Sequence, residues 1–136
     1  MYLLDTNVIS ELRKQRPHGG VLAWFRRVPE RQMFLSALSI GELQAGVERT
    51  RRQDVGKAAA IEAWIDEVAV SYQILPMDAQ VFREWARLMD DRPSQRMEDA
   101  MIAATARVHG LTVVTRNERE FAPFTVEVLN PFSLPK

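Results

Sequence analysis

Cysteine is absent from these 136 residues, which excludes disulfides, thiolate metal ligands and cysteine nucleophiles together. Histidine is nearly absent. His18 and His109 stand far apart in the chain, so a histidine-built zinc site is not expected. A metal held here would rest on oxygen ligands, which suits Mg²⁺ or Mn²⁺. No apolar run approaches the ~20 residues of a membrane helix. The start, Met1-Tyr2-Leu3-Leu4-Asp5, lacks the basic lead of a signal peptide. A cytoplasmic protein with no membrane partner is the expectation.

An excess of charge is lacking too. Eighteen cationic residues face 18 acidic ones, a balance unlike that of a simple nucleic-acid binder. Lysine is scarce: all but Lys14, Lys57 and Lys136 of the cations are arginine. Arginine pairs with phosphate and carboxylate through two parallel bonds, so the bias suits RNA or an acidic partner. It equally suits an ordinary solvated surface.

What is present is an alternation of short apolar runs with helical periodicity. Strands are expected at Met1–Leu4, Met33–Leu35, Ile74–Leu75, Thr112–Thr115 and Val126–Leu129. Helices are expected from about Asn7, through Val21–Val28, from Ser39 through Val47, over Lys57–Val70, after an Asp78 N-cap, and over Glu98–His109 with Gly110 as its stop. A polar break spans Asp90–Arg96, and a turn spans Asn117–Phe121. The pattern predicts one α/β domain over residues 1–136, with a mainly parallel sheet of four to five short strands flanked by helices.

Open α/β sheets bind ligands beyond the carboxyl ends of their strands. Asp5 follows the first strand at once, where it suits either a helix N-cap or a site. Ser39-Ile40-Gly41-Glu42 satisfies the capping-box spacing, and taken alone that pattern favours a cap. Asp99 opens an alanine-rich helix, where a negative charge is favourable without further purpose, and Glu98 beside it can serve the same role. Glu118 and Glu120 follow the fourth strand. Singly, none of these acids compels a function. Several acids after strand ends do suggest one, because clustered carboxylates repel unless they share a cation, and a shared divalent ion can activate water.

In order along the chain, Asp5-Thr6-Asn7-Val8-Ile9-Ser10-Glu11-Leu12, Ser39-Ile40-Gly41-Glu42-Leu43, Glu98-Asp99-Ala100-Met101-Ile102-Ala103-Ala104-Thr105-Ala106, Leu111-Thr112-Val113-Val114-Thr115-Arg116-Asn117 and Leu129-Asn130-Pro131-Phe132 resemble the VapC-type PIN-domain toxins. The resemblance implies a PIN fold with a clustered acidic site. Asp5, Glu42 and Asp99 match the family's three principal acids. Glu120 stands where the family usually has a fourth, commonly Asp, one methylene shorter. Thr115 and Asn117 match its supporting polar groups, and Thr6 would help to position Asp5. The implied activity is an endoribonuclease using one or two Mg²⁺ or Mn²⁺ ions, made as the toxin beside a cognate antitoxin and acting as a homodimer. Arg13, Lys14, Arg49, Arg51, Arg52 and Arg116 are the cations expected to guide RNA to an acidic centre. Trp24, Phe25, Trp64, Phe82 and Trp85 are the aromatics able to line a groove for a partner helix, although each lies on its helix's apolar stripe.

A receiver-like phosphoacceptor domain would want a late lysine, and none stands between Lys57 and Lys136. A haloacid-dehalogenase-like phosphatase would want Asp-x-Asp after the first strand, where Asp5-Thr6-Asn7 stands. The remaining rival is a PIN-like module that binds RNA or protein without cutting. Intact Asp5, Glu42 and Asp99 oppose it.

Overall fold

The structure is a computed structural model that describes residues 1–92 and 96–134. The middle of the expected polar break, 93–95, and Lys136 lie outside the described residues. In chain order the elements are β1 (Tyr2–Leu4), α1 (Thr6–Glu11), α2 (Gly19–Arg27), β2 (Met33–Ser36), α3 (Ala37–Arg51), α4 (Val55–Ser71), β3 (Gln73–Leu75), α5 (Ala79–Met89), α6 (Met97–His109), β4 (Thr112–Val114), α7 (Glu118–Phe121) and β5 (Val128–Leu129).

All strand pairs are parallel, in the order β3-β2-β1-β4-β5. Side chains alternate across each strand. Leu4, Leu35 and Val114 therefore enter one core with residues of α1 to α4, and Leu3 and Val113 enter a second core with α6, Phe121 and Phe124. The chain builds outward from β1 to β3, then returns across the sheet to place β4 on the other side of β1. The strand order reverses between β1 and β4. A doubly wound sheet opens a crevice at that point.

Local chemistry sets the helix ends. Asp78 Oδ1 accepts from Val81 N at 3.0 Å, as the sequence predicts. Gly110 takes a left-handed φ of 66° behind α6, which its lack of a Cβ allows. Buried Glu11 ties down the loop after α1: its Oε2 accepts from His18 N at 2.9 Å, and Lys14 pairs with it at 2.9 Å. Trp24 is fully enclosed, edge-on to Tyr2 and Phe25, whereas Phe82 remains exposed.

Three expectations change. Helix α3 starts at Ala37, because Ser36 Oγ, accepting from Leu38 N at 3.0 Å, is its N-cap. The expected turn at 117–121 closes into the helical turn α7. The last strand shrinks to Val128–Leu129, since Thr125 adopts a left-handed φ of 52° and spends the approach on a 3₁₀ turn.

Candidate active site

The shift of the α3 cap to Ser36 decides the reading of Ser39 and Glu42. The capping box is not formed. Both side chains sit one turn inside the helix and face α1 instead. Thr6 Oγ1 donates to Glu42 Oε1 at 2.8 Å and shares a hydrogen bond with Ser39 Oγ at 2.9 Å.

Asp5 lies at the end of β1, beside β4, with only 8% of its surface exposed. Its backbone N–H still donates to Val114 O at 2.9 Å, which extends the sheet by one rung. Its carboxylate is gripped by donors from both sides of the crevice. Oδ1 accepts from Thr6 N at 2.8 Å, and Oδ2 accepts from Thr115 Oγ1 at 2.8 Å and Asn7 Nδ2 at 3.3 Å. Asp5 is thus both cap and site residue. Thr115 in turn accepts from Asn117 N at 3.0 Å, while Asn7 Oδ1 accepts from Arg116 N at 3.3 Å. The loop after β4 is thereby fastened to the loop after β1.

Asp99, in the first turn of α6, and Glu120, on α7, face this point from the other layer. Asp99 is pushed up to about 6, first by burial and then by the charges of Asp5 and Glu120, against Arg96. Asp5 is raised above its ordinary value by burial, with Glu120 adding to it and the hydrogen bonds from Thr115, Thr6 and Asn7 opposing. Glu42 is pushed up to about 7, first by burial and then by a hydrogen bond and repulsion from Glu98 and by the charge of Asp5. Among the predicted acids, Glu120 thus acts on Asp5, Asp5 and Glu120 act on Asp99, and Asp5 acts on Glu42. Among the described residues no three of them are already drawn in around one point.

The supporting residues divide. Thr6 and Thr115 hold acids directly, but the side chain of Asn117 makes no hydrogen bond among the described residues; only its backbone reaches Thr115. Asn7, Ser39 and Glu98 were not singled out by sequence and join the network. Their signal was available in their spacing: each lies within three residues of a predicted acid. The cations divide as well. Lys14 is paired with Glu11, Arg51 bridges Glu48 and Glu62 at 3.2 Å each, and Arg116 lies over the Phe132 ring at 4.7 Å from its centroid. Arg13 and Arg49 line a cleft that begins at Glu42. Arg52 forms the C-cap of α3, outside that cleft.

A parallel α/β sheet with acids at its switch point defines an α/β protein with a strand-end acidic site, and the family comparison names its kind. The PIN domain profile matches residues 2–124, and the chain belongs to that family. It is similar to the VapC ribonuclease Y4jK of Sinorhizobium fredii, with 34% identity covering 97% of this chain and 98% of the relative. It is equally similar to the toxin FitB of Neisseria gonorrhoeae, at 34% identity over 97% of this chain and 99% of that protein. Among solved structures, a chain of the FitAcB crystal structure from Neisseria gonorrhoeae superposes with a TM-score of 0.87 at 32% identity, covering 98% of this chain and 100% of that one. The DNA-bound VapBC structure from Salmonella typhimurium shares the fold, with a TM-score of 0.75.

Proposed function

We propose that this chain is a Mg²⁺- or Mn²⁺-dependent endoribonuclease, the toxin of a toxin–antitoxin pair. The observation that carries the chemistry is the crevice at the switch point, where the charge of Glu120 raises the proton affinity of Asp5 and the charges of Asp5 and Glu120 raise that of Asp99. A donor set made only of oxygens, partly buried and mutually repelling, fits a hard divalent cation. Asp5, Glu42, Asp99 and Glu120 would hold it. When bound, the cation supplies a water of lowered pKa and offsets negative charge at the reacting phosphate.

The chain's own residues do the positioning. Thr115, Asn7 and the Thr6 N–H keep Asp5 charged and aimed in a place where water cannot solvate it. Thr6 orients Oε1 of Glu42. Glu98, through a hydrogen bond and its charge, raises the proton affinity of Glu42 at the edge of the site. Water attacking in line would leave a 5′-phosphate and a 3′-hydroxyl.

The relatives support the pairing with an antitoxin, since their names are those of ribonucleases and toxins and the aligned solved chain comes from the FitAcB structure. A homodimer acting on RNA in the cytoplasm completes the proposal. No helix among the described residues is long and apolar enough to cross a membrane.

The test is RNA cleavage by the purified chain with Mn²⁺ or Mg²⁺, beside EDTA and Asp99→Asn controls. Cleavage lost in both controls is the expected result. Folded protein that leaves every RNA intact with metal present would favour the binding-module alternative.

A further inference from the structure

We propose that the cleft between α1 and α3 is a subsite for an RNA phosphate next to the one being cut, with Arg13 and Arg49 as its cations. This rests on the ribonuclease reading above. The cleft encloses about 470 Å³, and Thr6 and Glu42 form its acidic end. Thr6, Ser10 and Arg13 share one face of α1 and the turn that continues it, since residues three and four apart are neighbours on a helix. Glu42, Gly46 and Arg49 share a face of α3 by the same spacing. The two stripes start together at the Thr6–Glu42 hydrogen bond of 2.8 Å and end at the two arginines. From Glu42 to Arg49 the helix rises about 10 Å at ~1.5 Å per residue.

The chemistry changes along that path. Thr6 and the Glu42 carboxylate lie at one end and the guanidinium groups of Arg13 and Arg49 at the other, with the hydroxyls of Ser10 and Thr50 also in the lining. A nucleic-acid strand needs that order. The reacting phosphate is met by acids sharing a divalent cation, and the neighbouring phosphate by cations of the protein itself.

Among the cations expected to guide RNA, Arg13 and Arg49 are also the two in the cleft, and neither is committed to an acid. Lys14 and Arg51 are in ion pairs and Arg116 is stacked, whereas neither Arg13 nor Arg49 has a carboxylate within ion-pair distance among the described residues. Arg13 rests 5.5 Å from the Trp64 ring centroid, which orients it without neutralising it. A second groove shares Arg13 and Ile61 and runs on to Lys57, so the basic track continues away from the acids. Gly46 keeps the cleft open. A Cβ there would meet only Arg49 Nη2, at 3.7 Å, so the backbone accepts a side chain that would grow into the space.

The experiment is fluorescence anisotropy of the full chain with short random-sequence RNA, in EDTA to prevent cleavage, across a range of salt. The Arg13→Ala/Arg49→Ala double variant should bind about tenfold more weakly, the scale of a lost charged hydrogen bond. Its log–log salt slope should flatten by about 0.7 for the lost phosphate contact. Gly46→Gln should weaken binding with no fall in melting temperature, because it replaces a helix-interior glycine. Arg27→Ala, in the last turn of α2 and not among the residues lining the cleft, should bind as the wild type does. Unchanged RNA affinity in the double variant, while the wild type binds and cleaves, would overturn the subsite and leave the nuclease reading standing. A double variant that keeps RNA but releases a co-purified partner protein would also overturn it, and would make the cleft a protein-docking groove. A wild-type chain that neither binds nor cuts RNA removes both proposals.

Discussion

Asp5 keeps its charge in a nearly closed crevice because three donors replace the water it has lost. Burial still holds its proton affinity above the ordinary value, so the metal-free site is under electrostatic strain. Removing that charge should therefore separate activity from stability. Asp5→Asn is expected to abolish metal-dependent cleavage while its melting temperature in EDTA stays level or rises by a few degrees. A melting temperature that fell would show that the charged group contributes to the fold. Glu42 gives a pH signature. In the unfolded chain its proton leaves near 4.5, but in the fold near 7, so between those values the folded form retains a proton that the unfolded form has lost. The stabilisation is full below 4.5 and vanishes as the pH rises through about 7. Asp99, moved from 3.8 to about 6, acts in the same sense over a lower window. Thermal melts of the metal-free chain should thus rise as the pH falls from 8 towards 5, and Glu42→Gln should flatten that rise. At this scale the sequence was readable where an acid directly follows a strand, as Asp5 does. It was ambiguous at Glu42, where Ser39 offered a plausible cap. Resolving it required knowing that Ser36 had already taken the cap, a contest between two serines three residues apart that spacing alone does not judge.

Among the elements, α2 is fixed by a contact that only glycine permits. A Cβ on Gly20 would come within 2.6 Å of Pro131 O and 2.8 Å of Leu134 O, both backbone atoms that cannot swing aside. Gly20→Ala is expected to cost about 1–3 kcal/mol by overpacking, measured as a lower urea midpoint with an unchanged slope. His18 Nδ1 accepts from Gly20 N at 3.0 Å, so the same turn also sets where α2 begins. This contact is invisible in the sequence, because the atoms that Gly20 meets lie more than a hundred residues away in the chain. The long amphipathic helices, by contrast, were legible because periodicity is a local property. The short strand β5 was overestimated because Thr125 diverts the backbone just before it.

At the scale of the molecule, the strand order β3-β2-β1-β4-β5 brings the acids together. Alternating strands and helices announced a parallel α/β sheet, but no local pattern states that β4 skips β2 to lie beside β1. The ordered set of motifs supplied that long-range information by resemblance. A cation filling the crevice should relieve the repulsion among acids drawn from both layers, and so should stabilise the entire fold. Mn²⁺ at about a hundred times its dissociation constant should add about 2.7 kcal/mol by mass action. Calorimetry with and without the ion checks this, and Asp99→Asn should lose most of the gain.

The hydrogen bond from Thr115 to Asp5 joins residues separated by 110 positions. A chain emerging in order from the ribosome therefore exposes its first acid long before the donor that will hold it has been made. Strand β1 has β2 as a partner early, but its other edge stays open until β4 is made, and a fragment ending before β4 lacks that side of the crevice. A chain cut short before Thr115 should therefore cleave no RNA, because its Asp5 lacks the hydroxyl that holds Oδ2.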